Sequence, residues 1–312
     1  HWTPETATTI TTNSLGMRDS REFAERAGPG VCRIALMGDS YFMGYEADIE
    51  DSIAGFLEAD FEAAGYDLDV LNFAVSGHGT SEMILHFENL AARFSPDIAV
   101  FQFHASDYTD NIRANLHRLT PDDDVVATGG TYLPAVGIRT VLESIPAFRW
   151  ISENSQIYAG AREKAAVMVK RLLADINLRA NAAEGDGADP EAEGGGGVAT
   201  RGHRLTGALI GLSRRVAEDA GASWYLFDVP SRRSRTEFIS TLYRMGLPAD
   251  LAGRAVSPLP EFRAAAGPDV KLFYERGHLH FTPLGNRLAA RALFERITRD
   301  SGGRLEKCRG AA

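Results

Sequence analysis

The stretch Val31-Cys32-Arg33-Ile34-Ala35-Leu36-Met37 is a short apolar run that ends on Gly38-Asp39-Ser40. Its length and apolar character predict a buried strand. Downstream, Asp51 to Ala64 carries Ile53, Phe56, Leu57 and Phe61 at helical spacing, and Gly65 stops it. Leu68 to Val75 reads as a second strand ending at Ser76-Gly77. Ser81 to Phe94 reads as a second helix, with Ser81 as its cap and Pro96-Asp97 as its breaker. Ile98 to Phe103 is a third strand. Strand, helix, strand, helix, strand at this spacing predicts parallel βαβ units with right-handed crossovers.

On either side the pattern changes. Residues 1–29 are polar, Thr-rich and without periodicity, and read as an extended arm. From about 112 to 204 the βα rhythm lapses, which reads as a helical insertion; Trp150 to Leu178 has a helical pattern. Within it, residues of about 183–200 include Gly194 to Gly197 and too little apolar surface to order themselves, so a flexible loop is expected. The rhythm resumes with a helix over Leu205 to Ala220, a strand over Ser223 to Val229, a last strand over Val270 to Tyr274 and a closing helix over Pro283 to Ile297. The basic run Ser231-Arg232-Arg233-Ser234-Arg235 reads as a solvated helix start, with an anionic substrate contact as the sharper alternative. Neither half holds a complete sheet. Residues 30–300 are therefore expected to form one α/β domain, followed by a tail over 301–312.

Composition narrows the function classes. Of 312 residues, 44% are hydrophobic and 24% charged, which suits a globular chain with an ordinary core and no need of metal or disulfide staples. Lys plus Arg number 33 against 42 Asp plus Glu, a formal net charge of -9. A nucleic-acid binder wants a basic face, so no nucleic-acid partner is expected. No stretch approaches the ~18 uninterrupted apolar residues of a membrane-spanning helix. The chain opens on His1 rather than Met, which leaves room for a signal peptide or membrane anchor upstream. Two cysteines, Cys32 and Cys308, are either free or buried thiols or one disulfide tying the tail to the first strand.

In an open parallel sheet, reactive groups gather beyond the carboxyl ends of the strands. Polar clusters stand at those ends: Gly38-Asp39-Ser40, Ser76-Gly77-His78-Gly79 and His104-Ala105-Ser106-Asp107. Gly277-His278-Leu279-His280 follows the last expected strand. A serine at a strand-to-helix turn exposes its hydroxyl, which becomes a nucleophile only when a base takes its proton. His280 or His278 is placed to be that base. The main-chain N–H groups of Ser40 and Gly77 are candidates for holding a developing oxyanion. His78, His104 and His278, with Asp39 and His280, also raise a metal site, which is the weaker reading; for His78 and His104 separately, loop histidines bonded to backbone are the plainer one.

Order and spacing sharpen the first of these. Ile34 to Gly44, containing Gly38-Asp39-Ser40, resembles the first block of the SGNH (GDSL-type) hydrolase family. Asn72-Phe73-Ala74-Val75-Ser76-Gly77 resembles its second block, Phe103 to Asn111 its third, and His280-Phe281-Thr282-Pro283-Leu284-Gly285-Asn286 its fifth. The stretch Thr12-Asn13-Ser14-Leu15-Gly16-Met17-Arg18-Asp19 is similar to the lead-in of bacterial extracytoplasmic members, and Trp150 to Ser155 to their insertion helix. The resemblance implies a flavodoxin-like three-layer α/β/α sandwich with a central parallel sheet and a helical insertion. It implies a serine ester hydrolase acting on a short-chain or acetyl ester of a small molecule, glycan or lipid, with no cofactor and no metal, located outside the cytoplasm. Ser40 would be the nucleophile and His280 the base. Ser40, Gly77 and Ser106 would form the oxyanion hole, and Asp39 would hold the turn.

This sequence departs from the family pattern twice. The third oxyanion donor is usually an asparagine, and Ser106 stands in its place. An aspartate usually precedes the base histidine by three residues, and that position is Gly277. Glu275 or Asp269 is expected to reach the imidazole from another angle, with His278 in support; a backbone carbonyl orienting a Ser–His dyad is the other option. Two further functions remain open at this stage: an O-acyltransferase acting on an envelope or exported polysaccharide, and an inactive carbohydrate-binding domain.

Overall fold

Alternation along the strands decides the layers. The computed structural model describes residues 3–130 and 201–310. In it, β1 (Cys32–Met37), β2 (Leu68–Asn72), β3 (Ile98–Phe103), β4 (Ser223–Asp228) and β5 (Ala255–Val256) form a five-stranded sheet in the order β2-β1-β3-β4-β5. Every pairing is parallel. Cys32 stands opposite Leu68, Ile34 opposite Ile98, Ile98 opposite Ser223 and Leu226 opposite Ala255. Parallel strands buried on both faces read as near-continuous apolar runs, as β1 and β3 do. The order 2-1-3-4-5 is that of flavodoxin-like doubly wound sheets.

Successive side chains leave opposite faces of a strand. Ile34, Leu36, Ile98, Val100, Tyr225 and Phe227 therefore share one apolar cluster with α2 (Ile53–Ala63) and the closing helix, Pro283–Asp300. Ala35, Met37, Ala99, Phe101, Trp224 and Leu226 share the other with α3 (Thr80–Asn89) and the helix Arg201–Asp219. The result is a three-layer α/β/α sandwich. A short helix, α1 (Ser40–Met43), follows β1 directly, and α4 (Asp107–Ala114) follows β3. In chain order Arg201–Asp219 is α5 and Pro283–Asp300 is α6.

Three expectations are corrected. The run Val270 to Tyr274 does not enter the sheet. Its Leu272 and Phe273 are buried, but the chain reverses at once, so Phe273 pairs antiparallel with Phe281 and Thr282 donates to the Leu272 carbonyl at 3.0 Å. The position beside β4 goes to Ala255–Val256 instead. The run Ser231 to Arg235 starts a tight hairpin, not a helix: Ser231–Arg232 pairs with Phe238–Ile239, the Ser234 hydroxyl accepts from Glu237 N–H at 3.1 Å, and buried Phe238 anchors the return. Ser81 lies inside α3, whose N-cap is Gly79; the Glu82 carboxylate accepts from the Gly79 N–H at 2.7 Å.

Residues 117–119 and 125–127 form a small antiparallel hairpin. The interior of the expected insertion, including the Trp150 to Leu178 helix, Trp150 to Ser155 and the Gly-rich loop at about 183–200, lies outside the described residues. At the other end of the chain, Cys32 and Cys308 form a disulfide. Cys308 also accepts from Asp67 N–H through its carbonyl at 2.7 Å, so the tail is seated beside the start of β2. No described helix is long and apolar enough to cross a membrane.

Candidate active site

Beyond the carboxyl end of β1 the chain turns within two residues. The Asp39 side chain caps α1 by accepting from the Tyr41 N–H at 2.8 Å, and this sets Ser40 as the first helical residue. The turn after β2 lies alongside, because the Val75 N–H donates to the Gly38 carbonyl at 3.0 Å. Gly77 occupies that turn with φ of 77°. His280 arrives from the segment just before α6. Thr282 caps that helix by accepting from Gly285 N–H and also donates to the Lys271 carbonyl at 2.7 Å, which fixes the approach.

Three side chains then form a line. His280 Nε2 is 2.6 Å from Ser40 Oγ, and His280 Nδ1 is 2.9 Å from Glu46 Oε2. Glu46 is 1% exposed and His280 8% exposed, so this bonding is shielded from water. With the carboxylate as acceptor, Nδ1 carries the proton and Nε2 accepts from the serine hydroxyl. That is the tautomer a base needs. Tyr41 meets the imidazole edge-on, with ring centroids 4.9 Å apart. Burial holds the His280 imidazole below its ordinary value; Glu46 and Asp39 pull the other way, and His278 adds to the lowering. The resting imidazole is therefore neutral at pH 7 and able to take a proton.

The Glu46 carboxylate is itself held by main chain. His278 N–H donates to Oε1 at 3.2 Å and His280 N–H to Oε2 at 3.1 Å. Between them Leu279 has φ of 62°, a left-handed conformation rare for leucine. This kink turns the two N–H groups toward one anion, as in a backbone nest. Gly277, at φ of 101°, leaves the room: a Cβ there would stand 2.5 Å from Glu46 Oε1. The carboxylate thus fills space that any side chain at 277 would claim.

Comparison with known proteins adds little at the level of residues. No family model and no curated protein matches this chain. Among solved structures, it is similar to the psychrotrophic esterase EstA from Pseudoalteromonas sp., at 12% identity and a TM-score of 0.43, over 86% of this chain and 97% of that one. It is also similar to the acetyl xylan esterase AlAXEase, at 9% identity and a TM-score of 0.45, over 85% and 99%. A member of the lipolytic protein G-D-S-L family from Veillonella parvula is similar at 13% identity and a TM-score of 0.45, over 86% and 99%. Likenesses this distant assign no residue a role.

The structure brings Ser40, Asp39, His278 and His280 together, and sets the Gly77 turn beside them. Glu275 is engaged elsewhere: its carboxylate pairs with Arg235 at 2.5 Å and with Arg232 at 3.6 Å. The expectation that Glu275 orients the base is therefore replaced by Glu46. His278 contributes its main-chain N–H to that carboxylate, while its ring packs edge-on to Tyr45 at 5.1 Å. The Ser106 hydroxyl is engaged by His104 Nδ1 at 3.0 Å. Sequence reading missed Glu46. The one signal was an acidic residue six positions after Ser40, where a chain departing from α1 could fold back, and many surface acids share that description.

Proposed function

We propose that this chain is a serine ester hydrolase of the SGNH (GDSL) type, acting on a short-chain acyl ester. The observation that carries the reading is the continuous bonding from Ser40 Oγ through His280 to the buried Glu46 carboxylate. Ser40 attacks the acyl carbonyl while His280 Nε2 takes its proton. The tetrahedral oxyanion is received by the main-chain N–H groups of Ser40 and Gly77, with the Ser106 hydroxyl turning from His104 to assist. As the intermediate collapses, the ester C–O bond breaks and the alcohol leaves with the proton from His280. Water then repeats the sequence on the acyl-serine and releases the acid. Glu46 keeps the imidazole in the right tautomer and stabilises the imidazolium that forms.

The Gly277 and Ser106 departures favour an inactive binding domain; the Glu46 carboxylate on His280 supports the hydrolase reading against the first of them. An exported location is part of the proposal. The Cys32–Cys308 disulfide supports it, because such bonds persist in oxidising compartments.

The test is hydrolysis of p-nitrophenyl acetate by the parent and by Ser40→Ala. The expected result is turnover by the parent and a fall of about 10⁵–10⁶-fold in the variant. An alkyl fluorophosphonate should label the parent and spare the variant. Equal rates in both proteins, or no labelling of the parent, would refute the reading.

A further inference from the structure

The arm at the start of the chain touches both loops that meet at Ser40, His280 and Glu46. Its first contact group is around residue 5. The Glu5 carboxylate accepts from the Glu275 and Arg276 N–H groups, each at 2.5 Å, and pairs with Lys271 at 3.2 Å. The Thr6 hydroxyl donates to the carbonyl of Glu46 itself at 3.2 Å. Thr3 is 4% exposed, and its Cβ lies 3.0 Å from where a Cβ on Gly277 would stand. These residues close the volume around Glu46 from one side.

The second contact group is Arg18. It is 2% exposed, and its hydrogen bonds go to carbonyl oxygens of one turn: Met43 at 2.5 Å, Gly44, and Ala47 at 2.6 Å. Burying a guanidinium is costly unless its donors are satisfied; here main-chain oxygens take both terminal nitrogens, while Nε has no hydrogen-bond partner. The planar guanidinium fork reaches three carbonyls at once, a geometry that a lysine ammonium does not reproduce. Gly44 permits the approach, since its φ is 67° and a Cβ would stand 2.6 Å from Arg18 Nη1. The turn so gathered, Met43 to Ala47, is the one that presents Glu46.

We propose that the arm is part of the catalytic apparatus, with Arg18 and Glu5 as positioning residues that hold the Met43–Ala47 and 275–276 turns so that Glu46 meets Nδ1 of His280. The catalytic consequence rests on the ester-hydrolase reading; the positioning itself does not. Neither residue touches the reacting atoms. Each acts through Glu46.

The experiment compares the parent with Arg18→Lys, Glu5→Ala and, as a reference, Glu46→Gln. The first readout needs no substrate: titration of the His280 imidazole, followed by NMR of the full chain. The groups facing that ring are Glu46, Asp39, Ser40, His278, Tyr41 and Tyr45. Of these Glu46 raises the midpoint most, so loosening it lowers the midpoint. We expect a fall of about half a unit in Arg18→Lys and Glu5→Ala, in the direction set by Glu46→Gln. The second readout is hydrolysis of p-nitrophenyl acetate, where kcat should fall about tenfold with KM within about twofold. A merely structural role would lower the folded fraction and leave the midpoint of the folded molecules in place. Folded Arg18→Lys and Glu5→Ala with the parent's midpoint would overturn the proposal. Should Arg18→Lys not fold, Glu5→Ala decides, because Glu5 is only half-buried while Arg18 is fully buried. Shifted midpoints with a parent that hydrolyses no ester would uphold the positioning and sink the hydrolase reading instead.

Discussion

A methyl group built on Gly277 would stand 2.5 Å from Oε1 of Glu46, so these two positions contend for one volume. Gly277→Ala should displace the carboxylate and lower kcat, and the left-handed φ of 101° should add about 1–2 kcal/mol of strain. In a Glu46→Ala background the clash with the carboxylate is gone, and the strain and the tight approach to Thr3 remain. The two substitutions should therefore be strongly non-additive in kcat, measured as a double-mutant cycle; additive losses would mean that 46 and 277 do not share the space. Glu46→Gln keeps the volume and removes the charge. It should cost about 10³–10⁴-fold in kcat, as other losses of the third triad member do. The pH profile carries a sign. Burial is the leading influence on His280 and lowers it, so the acid limb of kcat/KM should lie below the ordinary histidine value of 6.5. Activity is present above that limb and is lost as pH falls through it. Glu46→Gln should move the limb further down.

At the scale of elements, the closing helix α6 does two things with one cap. The Thr282 hydroxyl accepts from Gly285 N–H at 3.3 Å and donates to the Lys271 carbonyl at 2.7 Å, two residues after His280. Thr282→Val keeps the shape and removes both bonds. It should cost about 1–2 kcal/mol in urea unfolding. It should also depress kcat more than KM, because the start of α6 sets where His280 stands. The helix α4 shows a different economy. Asp107 is fully buried at its first turn, accepts from the Thr80 hydroxyl at 2.9 Å, and is pushed well above its ordinary value by burial and then by Asp39 and Asp110. A group raised in this way loses its stabilising share as pH rises through its folded value. Asp107→Asn removes that loss, so its stability relative to the parent should improve from pH 4 to pH 8, read as the difference in Tm at the two values.

For the molecule as a whole, the disulfide joins residues 276 apart in sequence, closing almost the entire chain. Cys32 opens β1 and Ser40 follows its far end, so the bond and the site sit at opposite ends of one strand. Replacing both cysteines by alanine should lower stability by about 2–5 kcal/mol in urea unfolding. Turnover per folded molecule at low temperature should be unchanged. A loss of kcat in the folded double variant would show that the tail influences the site through β1.

The strands β1 to β4 and helices α2, α3, α5 and α6 were legible from residue order because each carries its own period of apolar residues. The closeness of Ser40 and the Gly77 turn was legible because short motifs hold them beyond the ends of neighbouring strands, and His280 stands in a motif just before the closing helix. The edge strand Ala255–Val256 was not, since two residues have no period. Nor was the failure of Leu272 and Phe273 to join the sheet, which depends on the reversal behind them. The acid was the deepest of these. Glu46 differs from any surface glutamate only through partners far along the chain: His280 lies 234 positions away, and the arm reaches it through Thr6 and holds its turn through Arg18. Local sequence determined the first four strands, their helices and the turns that carry Ser40 and His280, because those follow from periodicity and tight turns. Tertiary structure alone decided which carboxylate serves the histidine, because that choice depends on which loops are packed together and on the volume left empty at Gly277.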